Sequence, residues 1–202
     1  MPSYLRKLGI EGLDGNSDVS KLFMELVHLR FIDHLILRGF HFRTMPCLDG
    51  LYNLQIDILK LDGLLASLPN FPYKIESLTL VNSSLDEDPM PLLGELGCLT
   101  HLKLRNAFTG REMVILHDGF PDLNVLCIEE MWNLKNVQIE KGGMSSLEKL
   151  EIKNCPSLES LPEEIGSMAL LKELKMVTTK SIATKIRNSD LISKIWKVNI
   201  NP

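Results

Sequence analysis

The 202-residue sequence predicts a curved α/β solenoid: a concave parallel β-sheet of about nine short strands, backed by loops, 3₁₀ turns and one short helix near 17–30. Three observations predict it. One short aliphatic pattern recurs from end to end, most of the recurrences stand a constant distance apart, and the intervening segments are short and broken by Pro and Gly.

The pattern is L-x-x-L-x-L, with any aliphatic residue at the L positions. It starts at Leu5, Ile32, Leu51, Ile75, Leu99, Leu123, Leu147, Leu171 and Ile195, with intervals of 27 and 19 and then 24 throughout. All three framework positions are aliphatic in every copy but the one from Leu171, whose third position is Met176. Such a period marks a repeat array, so residues 1–202 form one domain. A further column lies three residues before the later starts. It reads Pro72, Leu96, Phe120, Met144, Met168 and Ile192, large apolar residues suited to filling the layer between coils.

Each strand follows from alternation. The last four residues of each motif alternate apolar and polar, as a strand with one buried face does. A short strand cannot bury that face alone, so it stacks on its neighbours as a parallel sheet and the rest of each repeat crosses back behind it. Ser17 to Leu29 reads as a helix with Leu22, Phe23, Leu26, Val27 and Leu29 on one face and Ser17 or Asp18 as N-cap, which accounts for the 27-residue interval. Asp86 to Pro91 and Cys155 to Ser157 read as turns or 3₁₀ segments. Between Lys172 and Lys197 seven basic residues oppose Glu173 and Asp190. They read as a solvated C-terminal cap, with a ligand patch as the alternative.

Composition narrows the function. With 45% hydrophobic residues the chain can build a core, and at a net charge of −4 it lacks the positive charge of a dedicated nucleic-acid or anionic-membrane binder. No secretory signal and no membrane-spanning stretch is visible, so a cytoplasmic location is expected. Cys47, Cys98, Cys127 and Cys155 form no C-x-x-C pair and are expected to be free, mostly buried thiols. The five histidines show no metal spacing, and neither G-x-S-x-G nor H-E-x-x-H occurs, so no enzyme, cofactor or metal centre is expected.

In this architecture the residues between the framework positions line the concave face. Four after each start stand Gly9, Ile36, Gln55, Thr79, Lys103, Cys127, Glu151, Lys175 and Asn199; two further on stand Glu11, Arg38, Asp57, Val81, Arg105, Glu129, Lys153, Val177 and Asn201. Neither column repeats itself, which suits a recognition scaffold. The candidate contacts are His34, Arg38, His101, Lys103, Arg105, Glu129, Glu151, Lys153 and Lys175, whose mixed signs favour a polar protein partner. Trp196 joins them as a possible anchor, or else covers the terminal coil.

These residues resemble a known family. L-x-x-L-x-L every 20 to 29 residues is the leucine-rich repeat. The stretches "LGELGCLTHLKL" (Leu93 to Leu104), "FPDLNVLCIEEMWNLKNV" (Phe120 to Val137) and "MSSLEKLEIKNCPSLESLPEEIG" (Met144 to Gly166) are similar to repeats of plant intracellular immune receptors of the coiled-coil, nucleotide-binding, leucine-rich-repeat type. Their L-x-x-L-x-I-x-x-C-x-x-L-x-x-L-P pattern matches Leu147 through Pro162, and "YLRKLGIEGL" (Tyr4 to Leu13) has the same character. The residue eight after each start is irregular, however: Leu13, Phe40, Leu59, Ser83, Ala107, Met131, Cys155 and Thr179. Cys155 therefore reads as a buried thiol tying coils together.

The resemblance implies a non-enzymatic recognition module that senses a pathogen effector or contacts other domains of the same receptor. No G-x-x-x-x-G-K-[ST] loop is present, so the segment implied is the sensor portion, or a truncated relative, with an open apolar N-terminal edge prone to self-association. Other leucine-rich-repeat roles remain as alternatives. A receptor-kinase ectodomain usually carries L-x-G-x-I-P and several sequons, against Leu158 to Pro162 and the single Asn82-Ser83-Ser84 here, and a ubiquitin-ligase adaptor needs an F-box elsewhere.

Overall fold

Nine strands run parallel in one sheet and stand in it in chain order. The computed structural model describes residues 5–29 and 31–201; Met1 to Tyr4 lie outside it. The strands are β1 (Lys7–Leu13), β2 (His34–Gly39), β3 (Ile58–Asp62), β4 (Ser77–Val81), β5 (His101–Arg105), β6 (Glu112–Ile115), β7 (Val125–Glu129), β8 (Asn136–Ile139), β9 (Lys149–Lys153), β10 (Glu173–Val177) and β11 (Lys197–Asn201). The large sheet has the order β1-β2-β3-β4-β5-β7-β9-β10-β11, while β6 and β8 form a separate two-stranded parallel sheet.

Register explains why the aliphatic period is strict. Leu78, Leu102, Leu126, Leu150, Leu174 and Val198 stand side by side on β4 through β11, and so do Leu80, Leu104, Ile128, Ile152, Met176 and Ile200. A one-residue slip would turn all the buried ones to water; only Val198, on the last strand, is already exposed. The inner framework residues are buried, each worth roughly 1.5–3 kcal/mol of transfer free energy. They form a single core with Met113, Ile115, Val137 and Ile139 of the small sheet and with Phe120 and Met144, both buried as layer fillers.

The third repeat begins at Ile56, not Leu51. Its strand pairs Leu35 with Leu59 and Leu59 with Leu78, so Ile56, Leu59 and Leu61 are the framework residues. Two aliphatic frames overlap in this stretch. Leu51, Leu54 and Ile56 are also buried, because a 3₁₀ turn at Asp49–Asn53 tucks Leu51 into the core. The intervals between starts are therefore 27, 24 and 19, then 24. The face residues of this strand are Lys60 and Asp62 in place of Gln55 and Asp57, and Leu64 replaces Leu59 in the column eight after the start.

The return side holds more regular structure than loops and one helix. Helix α1 is Ser20–His28, shorter than Ser17 to Leu29, and Asp18 Oδ1 accepts from the Ser20 N–H at 3.0 Å. Phe23 and Leu26 are buried, but Val27 and Leu29 are exposed, so the apolar stripe is narrower than the sequence suggested. Two further helices are α2 (Met90–Leu93) and α3 (Lys180–Arg187). Asp88 accepts from the Met90 N–H at 3.0 Å and the Val114 N–H at 2.7 Å, joining α2 to β6. Alternating apolar residues made β6 and β8 legible in principle; their position outside the repeat motif hid them.

Strands β3, β4, β5, β7 and β9 end in a tight left-handed turn. Asn82, Asn106, Glu130 and Asn154, all seven after a start, have φ between 46° and 57°. Their N–H groups donate to the next strand, as Asn82 does to the Arg105 carbonyl at 2.9 Å and Glu130 to that of Lys153 at 2.9 Å. Asn tolerates this left-handed conformation well; Glu does not. In the third repeat the position is Gly63, where a Cβ would lie 3.0 Å from the Gly39 Cα. A second ladder crosses the side chains: Asn106 Nδ2 donates to Asn82 Oδ1 at 3.1 Å, and Asn82 Nδ2 to Asp62 Oδ1 at 3.2 Å.

The two ends of the sheet differ. At β1, Leu8 and Ile10 are only half-buried and Leu5 is exposed, because this strand has a neighbour on one side. At β11, Ala183 and Ile186 of α3 pack into the core beside Ile195 and Ile200. Trp196 is 93% exposed and covers nothing there. Cys127 and Cys155 are buried but Cys47 and Cys98 are exposed, so the thiols divide evenly rather than being mostly buried; all four are free.

Candidate functional site

Side chains two, four and six residues after each start leave the sheet on the side away from the core, because the framework residues at three and five point into it. Over β2, β3 and β4 this face is largely uncharged: Ile36, Ile58, Ser77, Thr79 and Val81 lie among Arg38, Lys60 and Asp62. From β5 onward it is charged.

The charges form one connected lattice. Lys103 Nζ lies 2.7 Å from Glu129, and Lys153 bridges Glu129 at 3.3 Å and Glu151 at 2.9 Å. Glu151 also holds Lys149 at 3.1 Å and Lys175 at 3.3 Å. Lys175 reaches on to Glu173 at 3.3 Å, and Glu173 to Lys197 at 3.0 Å. At the rim, Arg105 pairs with Glu130 at 3.0 Å. In-register stacking places Lys103, Glu129, Lys153, Glu151, Lys175, Glu173 and Lys197 on adjacent strands about 4.8 Å apart, close enough for the cross-strand pairs to meet, and alternation brings Lys149, Glu151 and Lys153, and Glu173 and Lys175, together along one strand.

Burial opposes ionisation of Glu151, but hydrogen bonds from Lys153, Lys149 and Lys175 outweigh it and lower the carboxyl to about 2. Glu129 is likewise lowered: burial works against it, and Lys103, the Cys127 thiol and Lys153 prevail. Lys153 is raised, chiefly by its bond to Glu151. Between them sits Cys127, whose thiol donates to Glu129 Oε1 at 3.4 Å; burial, with the Glu129 charge, pushes it up to about 12. The Cys127 sulfur and one oxygen each of Glu129 and Glu151 lie within 4.8 Å of one another. The Lys153 ammonium group already provides the cation for both carboxylates.

Of the residues singled out from the sequence, Lys103, Arg105, Glu129, Glu151, Lys153 and Lys175 come together here. His101 stands exposed at the start of β5, its Nδ1 2.9 Å from Thr100 Oγ1. His34 and Arg38 lie on β2, away from the lattice; burial and the nearby Lys7 lower the imidazole pKa of His34, and Arg38 pairs with Glu11. Trp196 precedes β11 and joins no part of the lattice. Lys149 was legible beside Glu151 and Lys153, but Glu173 and Lys197 were assigned only to the C-terminal cap, although period-two alternation places them on the same face. Lys60 and Asp62 were missed through the frame of the third repeat. Cys155, on the core side, directs its sulfur toward the Ile128 carbonyl of the previous coil at 4.0 Å, and burial raises its thiol to about 11.

Fold and site define a parallel-sheet protein with an apolar interior face and an ion-paired outer one. No family model matches the chain. Individual proteins do, and the chain is related in sequence to plant disease resistance proteins. Disease resistance RPP8-like protein 3 of Arabidopsis thaliana is 41% identical over 106 residues, 52% of this chain and 12% of its own length. Probable disease resistance RPP8-like protein 2 is 33% identical over 82% of this chain, and Probable disease resistance protein RF45 30% over 87%, both also from Arabidopsis thaliana. The chain spans about a fifth of the length of those two relatives, 19% and 20%. Among the described residues no helix is long and apolar enough to cross a membrane.

Proposed function

We propose that this chain is a leucine-rich-repeat solenoid acting within plant disease resistance, with the polar sheet face as its recognition surface. The observation that carries the reading is the contrast between the two faces. Side chains pointing into the core are apolar in every coil and mostly aliphatic, whereas those pointing out differ from strand to strand while resting on the same rigid register. A surface built this way can vary its contacts without disturbing its fold. The sequence relatives supply the context of resistance, and fold alone would not.

In this reading the module is non-enzymatic and intracellular, and it engages a protein: a pathogen effector, or another part of the receptor that carries it. The titratable groups of the face support a binding role, since Glu129, Glu151 and Glu173 are each held by lysines and the Cys127 thiol is kept protonated. The test is Lys103→Glu with Arg105→Glu in the full-length resistance protein bearing this segment, scored for cell death with and without the pathogen. Lost recognition or constitutive cell death is the expected result. If both responses stay at the wild-type level, the face has no part in the function.

A further inference from the structure

We propose that the charged half of the sheet face, over β5, β7, β9, β10 and β11, receives an acidic segment of a protein partner. The inference rests on the face being the recognition surface and names the chemistry of what it holds.

The layering of the lattice carries the argument. The carboxylates form its floor: the Glu151 and Glu129 side chains are 13% and 14% exposed. The amines form its top, with Lys103 at 41% and Lys197 at 69%. An approaching molecule therefore meets ammonium groups first. The fifteen outward positions of these five strands carry six Lys and Arg against three Glu, a charge of +3 on a chain whose total is −4. The cationic character is thus local, and Glu130 at the rim offsets only Arg105.

The glutamates also fix the lysines in place. An ammonium group has three donors. Lys103 and Lys197 each spend one on the lattice, and Lys153 and Lys175 each spend two, so all four keep at least one for a partner while their rotamers are already restrained. Side-chain ordering, which ordinarily opposes binding, is largely complete beforehand. From Lys103 on β5 to Lys175 on β10 is three strand spacings, about 14 Å, which about five extended residues span. A short run of Asp and Glu fits that reach. A nucleic acid fits less well, since its long run of phosphates would extend past this local patch onto a chain whose total charge is −4.

The test measures fluorescence anisotropy of the 202-residue chain with labelled decaglutamate, decaglutamine and a ten-nucleotide thymidine strand at about 50 mM salt. Decaglutamate is expected to bind at least about tenfold more tightly than either control, and the triple variant K103Q/K153Q/K175Q to lose about tenfold of that affinity. The off-face variant K21Q/K141Q keeps it. Should the triple variant fail to fold, K103Q and K197Q singly are expected to lose about threefold each. Equal binding of decaglutamate and decaglutamine, or affinity unmoved by the lysine variants, overturns the proposal. Tighter binding of the thymidine strand overturns it in favour of phosphate. If decaglutamate fails while the plant assay of Lys103 and Arg105 still responds, the face is a recognition surface for a partner of another chemistry.

Discussion

Replacing Glu151 by Gln removes the hub of the charged lattice while keeping its shape. A carboxyl lowered from 4.5 to about 2 is favoured in its ionised form by about 3 kcal/mol in the folded chain. The face is open to water on one side, and screening reduces the expected loss to about 1–2 kcal/mol at pH 7. The sign of the pH dependence follows from the lowered value. The folded carboxyl binds its proton less readily than the unfolded one, so its stabilisation is complete above about pH 5 and fades as pH falls toward 2. Urea unfolding of the wild-type chain and Glu151→Gln at pH 7, 4 and 2.5 measures this. The gap should be widest at pH 7, keep about three quarters of its size at pH 4 and fall to about a quarter at pH 2.5. A gap of the same size at every pH would refute the electrostatic account, and so would no gap at pH 7.

Glu130 adopts φ 57°, which Asn tolerates better, so Glu130→Asn should gain about 0.5–1 kcal/mol net of the exposed Arg105 pair; a lowered melting temperature would contradict this. Leu126→Ala, at a site 1% exposed on an inner strand, should cost about 2–5 kcal/mol, whereas Leu8→Ala on half-buried β1 should cost about 1. Equal losses in denaturant titrations would mean that the edge is covered. Cys47 and Cys98 should react quickly with a thiol reagent in the native chain and Cys127 and Cys155 only on unfolding, so one fast group of two thiols is expected in stopped-flow labelling.

The large sheet was legible in the sequence because its determinant is periodic. Aliphatic residues at fixed spacing leave one arrangement that buries them all, and eight of the nine strands follow directly from the motif. The ninth was displaced because Leu51, Leu54 and Ile56 satisfy the motif as well as Ile56, Leu59 and Leu61 do, and only strand pairing separates the two. The return side was less legible, since α3, β6 and β8 depend on how a segment packs over its neighbour. Of the site, the location of Lys103, Glu129, Glu151 and Lys153 on one face could be read from alternation. The pairing within β9, Lys153 with Glu151, follows from the same alternation; the cross-strand pairs of Glu129 with Lys103 and Lys153 could not be read, because they depend on which strands lie side by side across about 24 residues of sequence.

The coil from Ile56 to Ile75 is five residues shorter than its neighbours and returns without a helix, yet Leu59 still faces Leu78 and Leu61 still faces Leu80. Deletions behind the sheet are therefore silent in front of it. Thickness and loop length on one side can drift through insertion and deletion while the order of outward residues on the other is preserved. The two sides can be selected separately within a single continuous chain.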